Sequence, residues 1–148
     1  MFETIVWATD GSEEADRALS LVTELARAHG SKVVAVHADE ILVGRFGGAP
    51  VLADEEDIRV KIEKQVADLR EAGLSSDFVV ETGVRHGVAE LIVAAAAKVD
   101  ADLIVVGTHG RGAAATAVLG SVAKDLLHRA HCPVLVSTAT GVKAATLG

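Results

Sequence analysis

Hydrophobic positions along the chain follow two rhythms in turn. TIVWATD at the start is short, β-branched and almost unbroken in its apolar character, which predicts a buried strand. Over the next stretch, Ala15, Ala18, Leu19, Val22, Leu25 and Ala26 recur at helical spacing and form one apolar face. Ser12 stands where it can cap that helix, Glu13 and Glu14 suit its positive end, and Gly30 suits its stop. KVVAVHA reads as a second strand. Residues 39 to 53, with Gly44, Gly47, Gly48 and Pro50 and no clear period, read as a loop.

The alternation continues. Ile58, Ile62, Val66 and Leu69 mark a second helix from Asp54 to Ala72, ended by Gly73. DFVVETG is a third strand, VAELIVAAAAKV a third helix and ADLIVVG a fourth strand. SVAKDLLHRA is a fourth helix, with Val122, Ala123, Leu126, Leu127 and Ala130 on one side, and PVLVS is the last strand. Continuous apolar strands separated by helices predict a parallel sheet with helices on both faces. The expected fold is one α/β domain over residues 1–138, an open doubly wound sheet of five strands, with a flexible tail over 139–148.

Composition narrows the class. Half of the 148 residues are hydrophobic and 3% are aromatic, so Ala, Val, Leu and Ile must fill the core. With 14 basic and 21 acidic side chains the formal charge is −7, which argues against bulk attraction to nucleic acid or anionic membrane. A small anion held by local backbone dipoles remains compatible with it. Cys132 is the only cysteine, so no internal disulfide forms, as suits a reducing cytoplasm. The first residues carry no basic run of the signal-peptide kind, and Lys98, Asp100 and Asp102 interrupt the most apolar stretch.

In a doubly wound sheet, ligands sit beyond the carboxyl ends of the strands, where strand order reverses. Two strand ends stand out, Thr9-Asp10-Gly11-Ser12 and the segment GTHGRGAAATAVLGS from Gly107 to Ser121. The segment is not a Walker loop, since it lacks the lysine, and GTHGRG lacks the spacing and position of a dinucleotide fingerprint. Gly107, two residues, Gly110, nine residues, then Gly120-Ser121 at a helix start remains. Glycines let a backbone approach a ligand, and a helix N-terminus favours phosphate. Thr108 and Ser121 offer hydroxyls, and Arg111 is the sole fixed cation. An ordinary loop with Ser121 as a helix cap explains the glycine count equally well.

ADLIVVGTHGRGAAATAVLGSVAKDLLHRAHCPVLV resembles the universal stress protein family, whose nucleotide-binding members carry this glycine spacing followed by Ser or Thr. TDGSE after the first strand and CPVLV near the end are also similar to that family, from about residue 3 to 137. The resemblance implies a cytoplasmic, ATP-binding regulatory module of the stress response, without catalytic residues. It implies that Ala8, Thr9 and Asp10 line the adenine and ribose end, and that Ala38 touches adenine through its backbone. Gly107 would approach the ribose, and Gly110, Gly120, Ser121 and Val122 would hold phosphates, with Mg²⁺ carried mainly by those phosphates. It also implies a homodimer through the last strand, at Val134 and Val136, which an exposed apolar sheet edge suggests independently. Two positions depart from the family's habit: Ala8 stands where proline is frequent, and RGAAATAVL is poor in basic residues. The alternatives are a dimeric interaction module of the same fold that binds no nucleotide, or a slow ATPase.

Other residues carry plainer readings. Asp10 is read as a turn-former that accepts hydrogen bonds, Trp7 as a packing residue and His37 as a core or rim histidine. His128, His131 and Cys132 have tempting metal spacing, but two histidines at a helix C-terminus and a buried cysteine explain them. His109 faces either a phosphate or solvent.

Overall fold

The computed structural model describes residues 1–41, 52–84, 87–109 and 119–138. Nine elements follow in order: β1 (Thr4–Ala8), α1 (Glu13–His29), β2 (Lys32–Ile41), α2 (Leu52–Glu71), β3 (Ser76–Val84), α3 (Val88–Lys98), β4 (Leu103–Gly107), α4 (Ser121–Arg129) and β5 (Val134–Ser137). All strand pairings are parallel and the order is β3-β2-β1-β4-β5, the doubly wound sheet expected. The predicted tail over 139–148 lies outside the described residues.

Alternation along each strand builds two cores. Ile5, Trp7, Val33, Ala35, Leu103 and Val105 face α1 and α2, and meet Ala18, Val22, Ile62 and Val66. The intervening Val6, Val34, Val36, Ile104 and Val106 face α3 and α4, and meet Ile92, Ala95, Ala96, Ala123 and Leu126. Both faces of the central strands are therefore dry, which is why their sequences show no polar alternation. Trp7 is fully buried, and its indole N–H donates to the Ala15 carbonyl at 3.0 Å. Among the described residues no helix is long and apolar enough to cross a membrane.

α1 begins and ends as its sequence predicts. The Ser12 hydroxyl accepts the Ala15 N–H at 3.3 Å, and Gly30 closes the helix at φ 66°, its N–H donating to Ala26. Loss of a side-chain cap costs about 1 kcal/mol, so Ser12→Ala is expected to lower unfolding free energy by about that amount. Urea denaturation followed by Trp7 fluorescence measures it; an unchanged midpoint would show that the cap is dispensable.

Three elements overrun their predicted limits, β3 by one residue at each end. β2 continues through Asp39, Glu40 and Ile41, residues read as loop, because β3 pairs with it as far as Ile41 and Val84. α2 likewise begins at Leu52 rather than Asp54. On the other side of β2 the pairing stops sooner: β1 reaches Ala8 opposite Val36, and Thr9 adds one further bond, N–H to the Val36 carbonyl at 3.0 Å. A second difference lies in α4. Leu127, placed on the apolar face by its spacing, is 52% exposed, because only Ala123 and Leu126 of this short helix are fully inserted.

Candidate functional site

β1 feeds α1 on one side of the sheet, whereas its neighbour β4 feeds α4 on the other. The chain thus diverges beyond the ends of β1 and β4 and leaves a crevice of about 440 Å³. Ala8, Ala38 and Val106 form its sheet wall, with Val88 and Ile92 of α3 opposite and Val122 and Ala123 of α4 closing one end. This is an apolar slot with walls of small and branched side chains. Thr9, Asp10, Ser12, Thr108 and Ser121 make a polar rim.

Backbone groups in the slot follow from strand register. Val36 turns its carbonyl toward β1, where it receives Thr9, and strand period two turns the N–H and C=O of Ala38 the same way. β1 has ended by then, so no strand lies opposite Ala38 on that side. One donor and one adjacent acceptor therefore face the crevice from a fixed piece of backbone.

α4 supplies the second feature. Its N-cap, Gly120, has extended backbone and no side chain to cap the first turn. The Gly120 N–H donates to the Thr108 carbonyl at 2.6 Å, which pins the helix start against the end of β4. The first-turn N–H groups of Ser121, Val122 and Ala123 have no intrahelical acceptors, and all three residues line the crevice. Free amides at the positive end of a helix dipole attract an anion.

Glycine at two of the marked positions has a packing reason. A Cβ on Gly107 would stand 3.0 Å from the Glu14 Cβ and 3.2 Å from the Glu14 carbonyl oxygen, where α1 crosses the end of β4. A Cβ on Gly120 would stand 2.8 Å from the Thr108 oxygen. In both cases the neighbour is protein, so glycine here first permits the elements to meet.

Charge in the crevice is sparse. Among the described lining residues there is no lysine or arginine, and Asp10 is acidic. One Asp10 carboxylate oxygen accepts the Ser12 N–H at 2.9 Å, which makes it a turn-former as read. Glu14 is tied to Arg17 at 2.7 Å and accepts from the Thr108 hydroxyl at 3.4 Å. His109 lines the crevice, but its buried Nε2 has no hydrogen-bond partner among the described residues.

Of the residues that the sequence singled out, Ala8, Thr9, Asp10, Ala38, Gly107, Thr108, Gly120, Ser121 and Val122 all line this one crevice. Gly110 and Arg111 lie outside the described residues. Val88 and Ile92 were missed as site residues, although their i, i+4 spacing just after Gly87 marks one face at the start of α3. His37 is buried, as read. Cys132 is only partly buried, and burial together with nearby Asp102 pushes its thiol above the ordinary range. It lines a smaller hollow with His131 between α3 and β4, and among the described residues no three ligand-type side chains gather to hold a metal.

Comparison with known proteins agrees with this architecture. Residues 1–138 match the sequence profile of the Universal stress protein family. A universal stress protein of Thermus aquaticus is 37% identical over 138 residues, covering 92% of this chain and 98% of its own. The solved structure of the Methanocaldococcus jannaschii protein MJ0577 superposes with a TM-score of 0.79 at 26% identity, covering 93% of this chain and 96% of that one. A universal stress protein of Archaeoglobus fulgidus, solved in complex with dAMP, is 30% identical with a TM-score of 0.61, covering 92% and 97%. Another, solved with cAMP, is 26% identical with a TM-score of 0.62, covering 93% and 97%. With the profile matched over nearly its whole length, this chain belongs to the universal stress protein family.

Proposed function

We propose that this protein binds an adenine nucleotide, ATP in the first instance, and acts as a nucleotide-responsive regulatory module of the stress response in the cytoplasm. The observation that carries this reading is one crevice that joins an apolar slot to the start of α4, whose N-cap glycine has no capping side chain. A purine ring fits between Ala38 and Val106 on the sheet and Val88 and Ile92 on α3. The exposed donor and acceptor of Ala38 match the acceptor and donor on the Watson–Crick edge of adenine, whereas guanine presents the opposite pair. Asp10 accepts from ribose hydroxyls, and the first-turn amides of α4 receive phosphate oxygens. Gly110 and Arg111 extend the phosphate contacts, and Mg²⁺ accompanying ATP is held mainly by phosphates and water. Relatives of similar fold were solved with dAMP and with cAMP, which favours an adenine ligand. Titration calorimetry with ATP tests the reading, with GTP as the contrast. Equal affinity for the two would defeat the role given to Ala38, and no heat with any adenine nucleotide would defeat the site.

The module is proposed to act as a homodimer through β5. This strand is one edge of the sheet, and on it Leu135 is 36% exposed while Val134 and Val136 pack partly against the α3 and α4 core. An uncovered apolar edge strand favours pairing with a second copy. Leu135→Glu puts like charges at such an interface without emptying the core. The wild-type protein is expected to scatter light as a dimer at micromolar concentration and the variant as a monomer. A monomeric wild type would end the proposal.

A further inference from the structure

Thr9, on the crevice rim, is fixed on three sides. Its N–H donates to the Val36 carbonyl at 3.0 Å, its hydroxyl accepts the Gly11 N–H at 3.1 Å, and its carbonyl lies 2.9 Å from Nδ1 of His37. His37 is 2% exposed. Its other ring nitrogen, Nε2, lies 2.9 Å from a carboxylate oxygen of Glu55 near the start of α2.

The two contacts have a proton requirement. A carbonyl oxygen and a carboxylate are both acceptors, and a neutral imidazole has a single N–H. It can serve one of these partners and must turn a lone pair toward the other. Filling both contacts takes one proton more. With the Glu55 carboxylate as the acceptor at Nε2, that proton sits on the ring, which then donates through both nitrogens.

The surrounding charge agrees. Glu55 and Arg59 face His37 from α2, Asp39 follows two residues later on the same face of β2, and Asp10 adjoins Thr9 in the β1–α1 turn. The Arg59 guanidinium lies 3.3 Å from Asp39 and 4.0 Å from Glu55. The three carboxylates outnumber the one guanidinium, so an imidazolium offsets part of the negative charge that remains.

We propose that His37 is a positioning residue for the nucleotide site, holding the Thr9 turn against α2 through a proton retained by Glu55. This inference rests on the nucleotide-binding reading. Loss of the proton sets the Nε2 lone pair against the carboxylate. The ring then turns away from Glu55, and as it turns the Thr9 carbonyl loses its fixed donor beside Asp10. The arrangement competent to bind is the one that holds the proton. Affinity is therefore expected to be lower wherever the ring has lost that proton.

Two measurements test this. In the ligand-free protein, ¹⁵N-resolved NMR at about pH 6 is expected to find protons on both ring nitrogens of His37. A single protonated nitrogen would overturn the proposal whatever the ligand. ATP titrations then compare wild type with Glu55→Gln, whose amide N–H donates to a neutral Nε2 and keeps the contact without the extra proton. Between about pH 6 and about pH 9, wild-type affinity is expected to fall at least about threefold more than that of the variant. The ionisation of ATP itself is common to both proteins and cancels. Parallel profiles would overturn the proposal. Absence of ATP binding at every pH would bring down the nucleotide reading and this inference with it, and the NMR result distinguishes that failure from a wrong protonation state.

Discussion

Ala38→Leu is expected to weaken ATP binding about 10- to 100-fold while leaving the protein folded. Ala38 stands on the sheet wall of the crevice, facing Val88 and Ile92 of α3. The added isopropyl group enters open space when no ligand is present, so it strains little in the free protein. With a purine in the slot the same atoms overlap the ring, and overpacking of that kind costs about 1–3 kcal/mol. Calorimetry gives the affinity, and the fluorescence of Trp7 reports folding, because its indole is bonded to Ala15, itself a crevice residue. Gly120→Val is a poorer probe. Its new side chain would collide with the Thr108 carbonyl and displace the start of α4, so lost binding would follow from lost structure. Undiminished affinity in a folded Ala38→Leu protein would place the nucleotide elsewhere.

What the sequence made legible is local. Ser12 and Gly30 bound α1 by rules that act within a few residues, and the alternation of strand and helix implied a doubly wound sheet. The overrun of β2 was hidden because Asp39 and Glu40 are polar, and only β3, some 40 residues later, gives that stretch a partner. Leu127 has the right spacing for burial, but the face that α4 buries is set by α3 and β5 and is narrow. The glycine spacing pointed to residues that line one crevice, but with an incomplete reason. That Gly107 abuts Glu14 and that Gly120 abuts Thr108 are tertiary facts. The same holds for His37 and Glu55, which lie 18 residues apart and meet only because α2 packs across the end of β2.

ATP turnover by this protein is expected to fall orders of magnitude below the about 1–10³ s⁻¹ of typical enzymes. Phosphoryl transfer to water needs concentrated positive charge at the γ-phosphate and a group that orients the attacking water. The described crevice offers backbone amides at the start of α4 and no lysine or arginine, and the segment from Gly107 to Ser121 contains Arg111 as its one fixed cation. Two titratable side chains could serve as a base, and neither is well placed. Asp10 follows β1 on the turn into α1, with one oxygen already bonded to the Ser12 N–H, whereas the proposed phosphate site lies after β4. His109 follows β4, at the end nearer the proposed phosphate site, but its Nε2 is buried. Amides that hold phosphate oxygens equally in ground state and transition state give affinity without rate. Single-turnover hydrolysis with protein and Mg²⁺ in excess over ATP decides the matter, with Ala38→Leu as the control for contaminating ATPase. Hydrolysis complete within seconds in the wild type and absent in the variant would make this chain an enzyme.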